Sequence, residues 1–170
     1  ARYCYEEFRG LDPDDLEYTV TWIGFWFNIP GVTLDPTEVT TNFIDSGADV
    51  VLSGIDTTEA IVVSGQRADQ GERVFAVPYD YVGACEEKPE ICLGVPYFNW
   101  GPDYLETASA VQDGTWAQNF EWNEAAWDAL GDRTKTPVGW IDGPGLTDEW
   151  KADLATFIDG LASGDVVVWK

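Results

Sequence analysis

The sequence predicts an α/β domain built on a parallel sheet, and three observations carry that expectation. Short apolar runs rich in β-branched residues alternate with amphipathic stretches at helical spacing. Two of the helical stretches open on strong start signals, Asp35-Pro-Thr-Glu38 and Asp56-Thr-Thr-Glu59. The resulting order of strand, helix, strand, helix, strand, with short connections, calls for βαβ crossovers and parallel pairing. A chain of 170 residues is long enough for one substantial core and short for two.

Taken in order, Tyr5, Phe8 and Leu11 sit at helical spacing before the breaker at Asp12-Pro-Asp-Asp15, so residues 2–16 read as a helix and a turn. Tyr18-Thr-Val-Thr-Trp-Ile-Gly24 reads as a strand, ending in Phe25-Trp-Phe-Asn-Ile-Pro30. The helix capped by Asp35 carries Val39, Phe43 and Ile44 inward and stops at Gly47. Ala48-Asp-Val-Val-Leu-Ser53 is nearly all apolar, which predicts a strand buried on both faces. Asp56 is expected to cap the next helix, through Ala60-Ile-Val-Val63 to about Gln70, with Gly71 near its end.

Arg73-Val-Phe-Ala-Val77 is a third strand, and Ile91 to Val95 a further one. Gly101-Pro-Asp-Tyr-Leu105 opens a helix with Leu105, Ala108 and Val111 facing inward and a stop at Gly114. Residues 115–145 hold Trp116, Trp122, Trp127 and Trp140 among turn formers, with a short helix expected at Glu124-Ala-Ala-Trp-Asp-Ala-Leu130. Thr147-Asp-Glu-Trp150 opens an amphipathic helix with Trp150, Leu154, Phe157, Ile158 and Leu161 on one face, ended by Gly164. Asp165-Val-Val-Val-Trp169 reads as a last strand.

Charge narrows the function classes. The 31 acidic against 9 basic residues leave a net charge of −22, which repels nucleic acid and anionic membrane surfaces. The acidity is interleaved with apolar residues rather than gathered in a tail, so a folded acidic surface is expected, of the kind a halophilic protein shows. No apolar run approaches the roughly 18 residues of a membrane-crossing helix. Ala1-Arg-Tyr-Cys-Tyr5 lacks the apolar centre of a signal peptide, so the chain is read as mature or as a fragment. Cys85 and Cys92 bracket a short stretch containing Pro89 and are expected to form a local disulfide, which suits an extracytoplasmic setting. The alternative, a zinc site, lacks any histidine. Cys4 is left over, and burial is its simplest reading.

Ligands of open parallel sheets bind beyond the carboxyl ends of the strands. The residues there are Phe25, Trp26 and Asn28, then Gly54 and Asp56, then Tyr79 and Asp80, then Phe98, Asn99 and Trp100. Aromatic faces, two carboxylates and two amides on one rim suit a flat, hydrogen-bonding solute such as a nucleobase, nucleoside or sugar. Each has a bland counterpart: Trp26 as packing, Asp56 as a helix cap, Asn99 as a cap for the helix at Gly101. Asp80 follows a strand that no helix immediately succeeds, so it has no capping duty. Enzyme signatures are thin: no histidine, no P-loop lysine motif and no Gly-x-Gly-x-x-Gly. A secreted carbohydrate-active enzyme using paired carboxylates is the alternative function.

These segments together resemble the second half of the basic membrane protein family of solute-binding proteins for ABC transporters, the PnrA-like nucleoside receptors. The matching stretches are Tyr18 to Asn28 with Asp35-Pro-Thr-Glu38 behind it, Phe43-Ile-Asp-Ser-Gly-Ala-Asp-Val-Val51, Val74-Phe-Ala-Val-Pro-Tyr-Asp80, Asn99-Trp-Gly-Pro-Asp-Tyr104 with Val111-Gln-Asp-Gly-Thr-Trp116, and Gly164 to Trp169. The resemblance implies a Rossmann-like, parallel-sheet lobe of a type I periplasmic-binding-protein fold. Residues 1–98 would form mainly the second, C-terminal lobe, and residues 99–170 would return in part to the other lobe, most of which precedes Arg2. It implies no catalysis and no cofactor or metal. It also implies an extracytoplasmic receptor at the cell surface, in the periplasm or secreted, lipid-anchored through the preceding part and partnered by a membrane permease.

By position, the family's base-stacking aromatic falls on Trp26 or Phe25, its glycine-containing loop near Gly54 to Asp56, and its ligand-binding aspartate on Asp80. Where nucleoside-binding members place a lysine, this chain has Phe98-Asn99-Trp100. That departure leaves the solute open among nucleoside-like and other flat or polyhydroxylated molecules.

Overall fold

One helix, α3 (Glu59–Asp69), is the element against which most of the core is built. The computed structural model describes residues 1–167. Ala60 and Val63 of α3 pack with Ile44, Val51 and Val74. Ile61, the next residue round the helix, packs with Ala76, Ile91, Cys92 and Val95 on another side. A helix enclosed on two sides must carry apolar residues beyond a single stripe, and the run Ala60-Ile-Val-Val63 supplies them. Ile61 is fully buried, a burial that stabilises the fold by about 1.5–3 kcal/mol.

The elements around α3 follow from local chemistry. The helix α2 (Pro36–Asp45) starts where expected: the Asp35 carboxylate accepts from the amides of Thr37 at 2.8 Å and Glu38 at 3.4 Å. The strands β1 (Val50–Leu52) and β2 (Phe75–Val77) pair in parallel with Val51 opposite Ala76, so β1-α3-β2 is a βαβ unit. Beyond β2 the chain folds through 3-10 turns at Ala84–Glu87 and Pro89–Ile91, and Cys85 and Cys92 are joined by a disulfide. The stem of Lys88 crosses α3 at Gly65, where a Cβ would stand 2.7 Å from Lys88 Cγ. Its ammonium pairs with Asp69 at 2.7 Å and Glu90 at 2.8 Å.

A second sheet joins β3 (Gly94–Phe98) and β4 (Val138–Asp142) antiparallel, with Gly94 opposite Asp142 and Phe98 opposite Val138. Pro96 is tolerated in β3 because it and Trp140 opposite exchange no ladder bonds: the Trp140 amide donates away to Leu130 C=O at 3.1 Å, and Pro96 C=O accepts from the Asp80 amide at 2.9 Å. Gly94 is required: its φ is +155°, and a Cβ there would collide with the Trp140 indole. The chain is completed by α1 (Arg2–Glu7), α4 (Gly101–Gln112) and α5 (Asp148–Ser163). The α5 helix is capped by Thr147, lays Trp150 edge-on against Phe75 at 5.6 Å, and meets Tyr3 of α1 through Phe157 at 5.9 Å.

Several sequence expectations are corrected. Tyr18–Gly24 forms no strand. Tyr18, Val20 and Trp22 are exposed, Thr19 and Thr21 lie against α2, and among the described residues no neighbouring strand is there to reward its β propensity. The β1 strand is covered on one face only, with Val51 buried and Val50 and Leu52 exposed, because α2 and α3 pack on the same side. The helix expected at Asp56 starts at Glu59 with Thr58 as its cap residue. The strand placed at Ile91–Val95 is shifted to Gly94–Phe98. Only a single parallel bridge, Ala76 to Cys92, ties this stretch to β2.

In the later half, Leu105, Ala108 and Val111 of α4 are exposed rather than inward, since no other element covers that helix among the described residues. The helix expected at residues 124–130 is a single 3-10 turn, Trp127–Ala129, and β4 occupies what read as irregular chain. On α5 the stripe of Trp150, Leu154, Phe157, Ile158 and Leu161 is half-buried as a set. The last expected strand extends outside the described residues, and Asp165 to Val167 within them form none.

Candidate functional site

The ends of β1, β2 and β3 are tied together by backbone groups and by the carboxylate of Asp80. The Asp56 amide donates to Trp26 C=O at 2.6 Å, which holds the Phe25-Trp26-Phe27 loop beside the segment that follows β1. Beyond β2, the Asp80 amide donates to Pro96 C=O at 2.9 Å, and Asp80 Oδ1 accepts from the Phe98 amide at 2.9 Å. These two bonds clasp the end of β2 onto β3. Asp80 does this with φ +58°, the one left-handed backbone among the described residues other than glycine. An aspartate adopts that conformation more readily than most residues, at some local strain. Its second carboxylate oxygen has no protein partner among the described residues.

Rings line this edge. Phe25 meets Trp26 at 5.3 Å and Phe27 at 4.9 Å, both edge-on. On the other side runs a ladder: Tyr79 to Phe98 at 6.2 Å, Phe98 to Trp100 at 5.6 Å, and Trp100 to Tyr104 at 6.2 Å with the planes 19° apart. Most faces are open, with Trp26 64 % and Trp100 57 % exposed. Burial raises the Tyr79 phenol above its ordinary pKa, and the negative charges of Asp80 and then Asp56 raise it further. The Ser53 amide donates to Val77 C=O at 2.9 Å, so the segments after β1 and β2 leave the sheet side by side and share one rim.

The candidates differ in what they are free to do. Phe25, Trp26, Asp56, Tyr79, Asp80, Phe98 and Trp100 form the rim, and Asp56 is released from the capping role the sequence suggested because α3 begins at Glu59 behind Thr58, without a side-chain cap. Gly54 belongs to the same loop, and a Cβ there would meet nothing within 4 Å, so protein packing does not demand a glycine. Asn28 is engaged locally, its Oδ1 accepting from Thr33 Oγ1 at 3.1 Å.

Asn99 neither caps α4 nor presents its amide N–H groups. It is 8 % exposed, and Nδ2 donates to Arg133 C=O at 2.6 Å and Thr136 C=O at 2.8 Å.

Those bonds bring up a residue that the sequence reading missed. An open groove of about 460 Å³ runs beside the ladder, lined by Asn99, Gly101, Pro102, Leu105, Arg133 and Thr134. Arg133 is distant in sequence and sits in no recognisable motif, so only the fold of the 132–136 turn against β3 could reveal it. A second groove, of about 360 Å³, lies between Thr19, Thr21 and α2, away from the strand ends. Among the described residues no cluster of histidine, cysteine and carboxylate ligands could hold a metal ion.

No protein-family model matches the chain. Over 115 residues it is 34 % identical to a purine-binding protein of Brucella abortus (strain 2308), a match covering 67 % of this chain and 30 % of that protein. The chain thus spans under a third of that curated relative. Among solved structures it is similar to a solute-binding protein of an ABC transporter system from Conexibacter woesei DSM 14684. The match has 19 % identity and a TM-score of 0.48, and covers 78 % of this chain and 41 % of that one. That score is below the level at which a shared fold can be argued.

Proposed function

We propose, for a chain homologous to part of a purine-binding protein, that it is a portion of a basic membrane protein family receptor, the solute-binding component of an ABC transporter. In this reading it has the type I periplasmic-binding fold. Residues 1–98 form mainly the second lobe, and residues 99–170 return in part to the other. The receptor works outside the cytoplasm, lipid-anchored, and hands its solute to a membrane permease. The solute is a purine or a nucleoside-like molecule. It would stack on Trp26 or on the Phe98-Trp100 ladder, while Asp80 and Asp56 accept from its N–H or hydroxyl groups.

The observation that carries the reading is the Asp80 clasp. A carboxylate held in left-handed backbone, with one oxygen fixed by the Phe98 amide and the other without a protein partner among the described residues, between half-buried Tyr79 and exposed Phe98, supports a role as a ligand acceptor. Sequence kinship points the same way, since the curated relative is named for purine binding. No observation favours hydrolysis by paired carboxylates, and neither relative described above is named as an enzyme.

The test is thermal unfolding of the chain against purines, nucleosides, pyrimidines and sugars. A ligand that binds only the folded state raises the midpoint by mass action, by about 2.7 kcal/mol of added stability at a hundredfold excess over Kd. Purines or their nucleosides should raise it, and Asp80→Asn should weaken the rise. A midpoint unmoved by every purine, or moved equally in Asp80→Asn, contradicts the proposal.

A further inference from the structure

Every arginine but one has a carboxylate partner among the described residues. Arg2 pairs with Asp14, Arg9 with Glu149, Arg67 with Asp45 and Glu72, and Arg73 with Asp49. Arg133 pairs with none, in a chain of net charge −22, and it lines the groove beside the aromatic ladder. Its backbone is fixed, and its guanidinium makes no hydrogen bond or ion pair among the described residues. Arg133 C=O accepts from Asn99 Nδ2 at 2.6 Å, and Asp132 closes the turn by accepting from the Thr134 amide at 2.9 Å and hydroxyl at 2.7 Å.

Asn99 is fixed too. Both its recorded donor bonds run to backbone carbonyls, which sets the amide orientation and leaves Oδ1 as the free atom. That oxygen would stand 3.8 Å from a Cβ on Gly101, so it faces the residue that forms the groove floor with it. Asn99 and Arg133 thus line one groove, where a planar fork of donors and one acceptor can meet the same ligand.

The two groups are selective in what they reject. A guanidinium has five N–H donors and no acceptor, and its fork matches a carbonyl oxygen beside a ring nitrogen, as on the edge of a 6-oxopurine. On an amino-purine the carbonyl is replaced by an N–H₂ donor, which meets the fork donor to donor. Asn99 Oδ1 suits an N–H of the same ring. A neutral heterocycle also avoids the repulsion that an anionic ligand would meet from the acidic surface.

We propose that Arg133 is a specificity-determining residue whose fork reads the carbonyl and adjacent ring nitrogen of an oxo-purine, with Asn99 accepting from the ring, so that the groove discriminates against amino-purines. This rests on the purine reading given above. It goes beyond that reading by naming the subclass and the residue that selects it.

The experiment is calorimetric titration of the chain with guanosine, inosine, adenosine and 7-deazaguanosine, repeated on Arg133→Gln and Arg133→Lys. Arg133 is exposed and only its backbone makes the recorded bonds, so both variants should unfold at the wild-type temperature. Guanosine and inosine should bind at least about tenfold tighter than adenosine, and 7-deazaguanosine, which lacks the ring acceptor, should fall with adenosine. Arg133→Gln should weaken the two oxo-purines about tenfold and leave adenosine nearly unchanged, and Arg133→Lys, which keeps the charge without the fork, should not restore the preference. Equal binding of guanosine and adenosine overturns this proposal and leaves the purine reading standing. So does a preference that survives Arg133→Gln, or one equal loss for every purine. Absence of binding by any purine overturns both.

Discussion

Residues 36–98 and residues 99–125 both hold helical stretches with a regular apolar stripe, yet they behave differently in the folded chain. In the first region the apolar positions of α2, α3, β1 and β2 meet one another, and Ile61, Ala76 and Val95 are fully buried. In the second, α4 has an equally regular stripe, but Leu105 is 72 % exposed, and Trp116, Phe120 and Trp122 beyond it are open as well. An apolar period tells which face of an element is suited to burial. It does not tell whether a partner is within reach. Around α3 the partners are near in sequence, whereas among the described residues no helix or strand packs closely on α4.

The difference is sharpest in stability. Ile61→Ala should lower unfolding free energy by about 2–5 kcal/mol, while Leu105→Ala should change it by no more than about 0.5 kcal/mol, both read from urea denaturation at constant m-value. A large loss from Leu105→Ala would erase the contrast. The disulfide belongs to the buried region: Cys85→Ser with Cys92→Ser should cost about 2 kcal/mol, because the loop it closes is short, and the same readout checks it. Asp35→Ala should cost about 1 kcal/mol through the lost α2 cap. Both regions share an acidic surface, so raising salt from about 0.1 to about 1 M should raise the thermal midpoint of the whole chain by screening self-repulsion. A midpoint that falls with salt would contradict that.

Legibility follows the same line. The α2 cap, the βαβ unit, the Cys85–Cys92 bridge and the start of α5 depend on residues close together, and each could be read from spacing. Tyr18–Gly24 could not, because β propensity needs a neighbouring strand, and among the described residues none lies beside Val20 and Trp22. Nor could β4, whose pairing with β3 is fixed by contacts such as Trp140 over Gly94 between residues far apart in sequence. At the rim, the residue types at the strand ends were legible, while their division of labour was not. Asp80 proves to be clasp as well as free acceptor, Asn99 spends its donors on the 132–136 turn, and Arg133 enters from the later half. The smallest expected effect concerns this convergence. Replacing Asp56 and Asp80 together by asparagine should lower the Tyr79 pKa part of the way only, because burial, the larger cause, remains. Tyrosinate absorbance against pH reads it, and an unchanged titration would place the carboxylates away from the phenol.

The proposed purine site lies at the ends of β1, β2 and β3. Titrating guanosine into the isotope-labelled chain and following amide and indole resonances by NMR should move the Asp56, Asp80 and Phe98 amides and the Trp26 and Trp100 indoles together, along one binding curve. Resonances that stay still there, or that move only around the groove between Thr19, Thr21 and α2, would contradict it.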